Sequence, residues 1–294
     1  MGRAEADGGE TGSGGGMEPK NITARTALIT GGAGGLGLAM ARGLLADGHR
    51  VALMDNDPAA IERSKEMLRD IGGDLLAVVG DVSVEAACRS VVETVGKSFG
   101  PVEVLINNAG IGPSSLRPDA ERRLPSVTEV TPEIWSRFFA NNVTGAYLML
   151  RAVLPRMRGN GWGRVINNTT SFFTMLRVLP YGATKAALEA ASAVWAKELE
   201  GTGVTVNVVV PGGPTDTAFI ADQSGIDRDK MLRPEVMAAP VRWLASELSD
   251  GVTGRRFVAA RWDNDVPTSE AAEKSAAPIG WPDLAAATVV WPDD

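Results

Sequence analysis

Tyr181 and Lys185, in the run YGATKAALEA, are the pair in this chain best suited to moving a proton. Four residues apart on a helix, they share one face, so an ammonium can sit beside a phenol. A free phenol has a pKa near 10 and is a poor base at neutral pH. A neighbouring cation favours the phenolate, and each unit of pKa lowering represents about 1.4 kcal/mol of preferential stabilisation. Upstream, the run TGGAGGLG at 30–37 follows a short apolar segment and precedes an amphipathic one. Gly31, Gly35 and Gly37, flanking Leu36, let the chain turn sharply. Backbone N–H groups and a helix N-terminus can then approach the phosphates of a dinucleotide. Asp55 ends the next apolar run, eighteen residues after Gly37, about where an acid accepts hydrogen bonds from an adenosine ribose. A proton carrier and a dinucleotide site together point to redox chemistry.

Those residues need a frame. Apolar strand-like runs at 27–30, 51–54, 75–80, 102–107, 163–168, 204–210 and 256–260 alternate with helical stretches. That rhythm predicts an α/β fold: a single Rossmann-like, doubly wound parallel sheet with helices on both faces. Right-handed crossovers then gather the strand C-terminal ends, and the ligand site, along one edge. The glycine turn, Asp55, Asp81, Asn107 and the segment 169–171 fall at such ends. Loops at 111–130 and from Pro211 to about Arg233 are longer than connection requires, which suits lids or specificity elements. The organisation reads as a flexible leader at 1–22, a catalytic domain at 23–262 and a C-terminal extension at 263–294.

The 294 residues carry a net charge of −7. A surface of that sign does not suit wrapping nucleic acid or adhering to an anionic membrane. No apolar run approaches the roughly 20 residues needed to span a bilayer, and the polar, glycine-rich start lacks a signal-peptide core. With one cysteine, Cys88 in an expected helix, no intramolecular disulfide can form, which fits a reducing cytoplasm. The glycosylation-type triplets at Asn21, Asn142, Asn167 and Asn168 are read as chance matches. His49, the sole histidine, is expected in a surface turn, and one histidine with one distant cysteine makes no His-based metal site.

In this order and at these separations, the pieces resemble the short-chain dehydrogenase/reductase family across roughly 24–260. They are TGGAGGLG at 30–37, Asp55, Asp81-Val82, NNAG at 107–110, NVTG at 142–145, YGATK at 181–185 and Pro211-Gly212. The resemblance implies that Asp81 and Val82 flank the adenine, and that Asn107, Asn108, Ala109 and Gly110 support the central strand and line the cofactor. Tyr181 becomes the acid/base, Lys185 its partner and ligand of the nicotinamide ribose, and Asn142 the anchor of a proton-relay water. Homodimers or homotetramers are expected, with a helix from Pro132 to about Arg158 and the helix after Tyr181 facing symmetry mates.

The departures matter as much. The family places a substrate-binding serine about thirteen residues before the tyrosine, where this chain has Asn168. Strand register favours Thr170 for that role and chemistry favours Ser171; both readings stay open, since either hydroxyl can donate to a carbonyl oxygen. Phe172, Phe173, Met175 and Leu176 can wall an apolar pocket or fill core. The tail, with Trp281 and Trp291, can dock on this subunit or a neighbour, or remain loosely held. The expectation is an NAD-dependent enzyme interconverting a small alcohol and a ketone. Asp55 followed by Asn56, with no adjacent cation, disfavours NADP. Two alternatives are an NADPH-dependent 3-oxoacyl carrier-protein reductase and a non-catalytic dinucleotide-sensing protein.

Overall fold

Runs of apolar residues form strands here because helices cover both of their faces. The computed structural model describes residues 23–288. Seven strands lie parallel in the order β3-β2-β1-β4-β5-β6-β7. They are β1 (Thr26–Thr30), β2 (Arg50–Asp55), β3 (Leu75–Val79), β4 (Val104–Asn107), β5 (Gly163–Asn168), β6 (Val204–Val210) and β7 (Arg255–Val258). Their ends lie within two residues of the sequence reading. β7 stops at Val258 because the chain turns back there, returning the Ala260 N–H to Pro211 O at 2.9 Å.

The helices are α1 (Gly35–Ala46), α2 (Pro58–Leu68), α3 (Glu85–Phe99), α4 (Pro132–Phe139), α5 (Gly145–Asn160), the single turn α6 (Phe172–Met175), α7 (Tyr181–Glu198), α8 (Ala238–Leu244), α9 (Thr268–Ser275) and α10 (Pro282–Thr288). Every residue of β1, β4, β5 and β6 is buried, and the two-residue period sends alternate side chains to opposite layers. Ile29, Val104 and Ile106 pack with Met40, Leu44, Ile61 and Leu244. Leu28, Leu105, Val165 and Val206 pack on the other side with Val95, Met149 and Val153. The sheet is therefore doubly wound, and β1, between β2 and β4, marks the crevice where ligands bind in such folds.

The long helix expected from Pro132 is α4 and α5 joined by a π-helical turn at Ala140–Thr144, with Thr131 Oγ1 accepting the Ile134 N–H at its start. Such turns are frequent at functional sites, and Asn142 sits on this one.

Two findings depart from expectation or extend it. His49 is buried, not in an exposed turn: its Nδ1 accepts the Arg25 N–H at 3.0 Å, and burial lowers its pKa. The tail docks on its own chain. α9 buries Ala271 and Ala272, β8 (Ala276–Pro278) pairs antiparallel with β7, and Trp281 packs on Phe172 with ring centres 5.7 Å apart. Asn21, Trp291 and the leader lie outside the described residues. Asn142, Asn167 and Asn168 are buried, in keeping with chance triplets. Among the described residues, no helix is long and apolar enough to cross a membrane.

Candidate active site

β1 hands over to α1 through the glycine turn. Gly34 precedes α1 and no side chain caps its first turn, leaving backbone donors for another partner. Gly31 and Gly35 have φ of 58° and 50°, a region that favours glycine. At Gly37 the reason is space: a Cβ there would lie 2.2 Å from Gly31 O. Leu36 is half-buried against the α1 layer. The Asp55 carboxylate accepts the Ala33 and Asp57 N–H groups at 3.3 and 3.1 Å, which holds it at the rim of the turn. Uncapped donors, a cradle that side chains would fill and a carboxylate beside it fit a dinucleotide.

The neighbouring strand end is tied to this turn. Thr30 Oγ1 accepts the N–H groups of Asn108 and Ala109, each at 3.1 Å, and Asn108 Nδ2 donates to Gly31 O at 2.9 Å. Asp81 Oδ1 accepts both the N–H and the hydroxyl of Ser83, while Val82 packs beneath Gly145. Pro211 and Gly212 close the end of β6, where Gly212 has a φ of 104° and a Cβ on it would meet Ala260.

Tyr181 opens α7 and Lys185 follows one turn later on the same face. Lys185 Nζ lies 5.8 Å from the centre of the Tyr181 ring and donates to Asn168 O at 2.7 Å. Loss of water pushes the Tyr181 phenol up to about 12, partly countered by a hydrogen bond with the Thr170 side chain. The same loss of water brings the Lys185 ammonium down to about 8. Ser171 is occupied differently. Its Oγ caps α6, accepting the Thr174 N–H at 3.1 Å and pairing with Thr174 Oγ1 at 2.9 Å. The Ser171 hydroxyl is thus taken up by a helix turn, whereas the Thr170 side chain influences the phenol.

Asn142 reaches this group from the π-helical turn. Its Oδ1 accepts the Ile111 N–H at 2.8 Å, and its Nδ2 donates to Ile111 O and Thr184 Oγ1 at 3.0 and 2.9 Å. Gly110 lies between Asn142 and Lys185, and a Cβ on it would sit 3.0 Å from Asn142 Oδ1 and 3.6 Å from Lys185 Nζ.

The two long loops meet above Tyr181. The Phe219 ring centre lies 5.6 Å from that of Tyr181, and Gly112 passes so close that a Cβ would be 2.3 Å from Phe219 Cζ. The Ala221 N–H donates to Ser114 Oγ at 3.1 Å, joining loop to loop. Of the apolar residues after the hydroxyls, only Met175 is buried; Phe172 packs on Trp281 yet stays partly exposed, and Phe173 and Leu176 are more exposed still.

The family described as short chain dehydrogenase matches residues 25–225. The chain belongs to the short-chain dehydrogenase family. It is accordingly an NAD(P)-dependent oxidoreductase acting on CH–OH groups. It is 31% identical over 248 residues to an acetoacetyl-CoA reductase of Cupriavidus necator, covering 80% of this chain and 96% of that protein. It is 27% identical to glucose 1-dehydrogenase 2 of Bacillus subtilis, covering 80% and 93% of the two chains. Among solved structures, it is similar to a 3-ketoacyl-(acyl-carrier-protein) reductase from Brucella melitensis complexed with NADH. That likeness has a TM-score of 0.65 and 30% identity and covers 78% of this chain and 93% of the other.

In this short-chain dehydrogenase, three further side chains converge on the site without having been read from the sequence: Phe219, Glu189 and Arg256. Glu189 had a legible signal, since it continues the stripe of Tyr181 and Lys185 at the next four-residue step. Arg256 and Phe219 had none, because their positions depend on how distant segments meet.

Proposed function

We propose that this enzyme interconverts a secondary alcohol and a ketone by hydride transfer, using NAD, with Tyr181 as the acid/base. The observation that supports the reading is the grouping of half-buried Tyr181 and Thr170 with the buried Lys185, whose Nζ lies 5.8 Å from the centre of the Tyr181 ring, at the strand edge beside the dinucleotide cradle. When bound, the cofactor accepts or supplies the hydride. The chain's own residues do the rest. Gly31, Gly35 and Gly37 leave room for the pyrophosphate, Asp55 receives the ribose hydroxyls, and Leu36 with residues 108–110 lines the site. Asp81 and Val82 bound the adenine end, and Pro211 and Gly212 bound the far end. In oxidation the phenolate of Tyr181 takes the alcohol proton, and in reduction the phenol returns one to the carbonyl oxygen. Lys185 stabilises the phenolate and holds the nicotinamide ribose, while Asn142 anchors the water through which the proton leaves.

Coenzyme turnover with a panel of small alcohols and ketones tests this reading directly; a chain that binds dinucleotide but turns over none of them is a sensor instead. A 3-oxoacyl thioester substrate is the second reading, supported by similarity to the two reductases named for such substrates. The absence of a cation beside Asp55 stands against the NADPH form of that reading. We assign Thr170 as the donor to the substrate oxygen. Thr170→Val is expected to lower turnover about 10-fold to 100-fold with little change in cofactor binding, because the bond strengthens as charge develops on the oxygen. Ser171→Ala is expected to leave turnover near wild type and to cost about 1 kcal/mol of stability through loss of a helix cap. Steady-state kinetics and thermal melts of the two variants check the assignment, and the reverse pattern would move the role to Ser171.

The same reading carries a cytoplasmic enzyme with a catalytic domain at 23–262, a leader before it and an extension after it. It also carries a homodimer or homotetramer formed through the faces of α4, α5 and α7, where Trp135, Tyr147 and Val194 are exposed.

A further inference from the structure

At the backbone of Thr170 lies a buried ion pair that the proton-transfer chemistry does not use. Glu189 stands on α7 one turn beyond Lys185, its side chain 0% exposed, and Arg256 comes from β7 with a side chain 5% exposed. Arg256 Nη1 donates to Glu189 Oε2 at 2.7 Å. The Thr169 hydroxyl donates to the same oxygen at 2.7 Å and accepts from Arg256 Nη1 at 3.2 Å. The other arm of the guanidinium, Nη2, donates to Thr170 O at 2.6 Å. Phe172 lies over the guanidinium, 4.3 Å from its carbon to the ring centre, and Trp281 of the tail backs Phe172.

The location explains the need for such a device. β5 ends at Asn168, and the Thr169 N–H makes the last bond toward β6, to Val209 O at 3.2 Å. From there the chain leaves the sheet to start α6, and Thr170 sits on the segment between. A hydroxyl that must meet a developing charge has to be held to a fraction of an ångström. Arg256 grips two consecutive residues of that segment, and Glu189 fixes Arg256 from the helix that carries Tyr181 and Lys185. The pair therefore joins the two elements that bear the acid/base and the substrate hydroxyl.

We propose that Arg256 and Glu189 are positioning residues that aim the Thr170 hydroxyl at the Tyr181 phenol and the substrate oxygen. They touch neither substrate nor cofactor and act through the Thr170 backbone. This rests on the assignment of Thr170 made above.

The test is a double-mutant cycle of Arg256→Lys with Thr170→Val. Lysine keeps a positive charge near Glu189 but lacks the second arm to Thr170 O. Alone it is expected to lower kcat about 10-fold or more, with KM for the coenzyme and the melting temperature close to wild type. In the Thr170→Val background it is expected to lower kcat no further, because its route of action is already gone. The double variant Arg256→Met with Glu189→Leu strands no charge in the core and is expected to fold and to show the same fall in kcat. Full multiplication of the two effects, or a fall in melting temperature with kcat of the folded enzyme unchanged, would overturn the proposal. If the wild-type enzyme turns over no alcohol or ketone of the panel, the proposed function fails by itself. A crystal structure of the Arg256→Lys protein then decides the pair's role: the Thr170 hydroxyl turned away from Tyr181 supports it, and an unmoved hydroxyl refutes it.

Discussion

Tyr181→Phe is expected to lower turnover by about 100-fold or more while coenzyme affinity stays nearly unchanged. The change removes one oxygen and leaves the ring, so packing against Phe219, with centres 5.6 Å apart, is retained and the fold is not at issue. The pH profile carries the sign. Burial places the Tyr181 phenol at about 12 in the free protein, so the base form is scarce at neutral pH and must be favoured by nearby positive charge. In the proposed mechanism oxidation uses the phenolate, so its rate is expected to rise with pH toward the apparent pKa of the complex; reduction uses the phenol, so its rate is expected to fall over the same interval. In Tyr181→Phe both limbs should flatten. Steady-state kinetics in each direction, with coenzyme binding followed by fluorescence, measure this. Turnover retained with its pH dependence intact removes Tyr181 from the chemistry.

Coenzyme choice is the second large effect. The Asp55 carboxylate, held at the rim of the glycine turn by the Ala33 and Asp57 N–H groups, suits the 2′- and 3′-hydroxyls of an unphosphorylated ribose. A 2′-phosphate would face it as a like charge. At an effective dielectric near 20, two such charges about 4 Å apart repel by roughly 4 kcal/mol, so after relaxation the preference for NAD over NADP should still be tenfold or greater. Asn56 supplies no compensating cation. Asp55→Ser combined with Asn56→Arg is expected to narrow or reverse the ratio of kcat/KM for the two coenzymes. Wild-type protein that uses both equally well would mean that the carboxylate does not meet the ribose, and would strengthen the 3-oxoacyl reductase reading.

What could be read from the chain before its fold was whatever is encoded locally. The glycine turn, the strand runs and the four-residue step from Tyr181 to Lys185 each reside within a short window, where steric and periodic rules apply directly. Features made by distant segments were not legible. His49 looks like a turn residue beside Gly48, and becomes buried because the backbone of Arg25 arrives to bond it. The proposed preference for Thr170 over Ser171 rests on α6, a single turn too short to announce itself, whose start takes up the serine hydroxyl. Glu189 and Arg256 are 67 residues apart, and nothing in either neighbourhood names the other. β8 is the residues Ala276–Pro278, without the β-branched or aromatic content that marks a strand; it pairs because β7 offers an open side.

That short strand also bears on how copies of this protein can meet. An uncovered outer strand is a template on which another chain can continue the ladder, and evolution blunts such margins with brevity and proline. Here the seat beside β7 is already taken by the chain's own β8, whose last residue, Pro278, opposes Arg255 and lacks an N–H to offer. A second subunit therefore cannot pair directly on β7. The margin that remains on that side is β8 itself, three residues long and ending in proline, which makes it a poor template for a further strand.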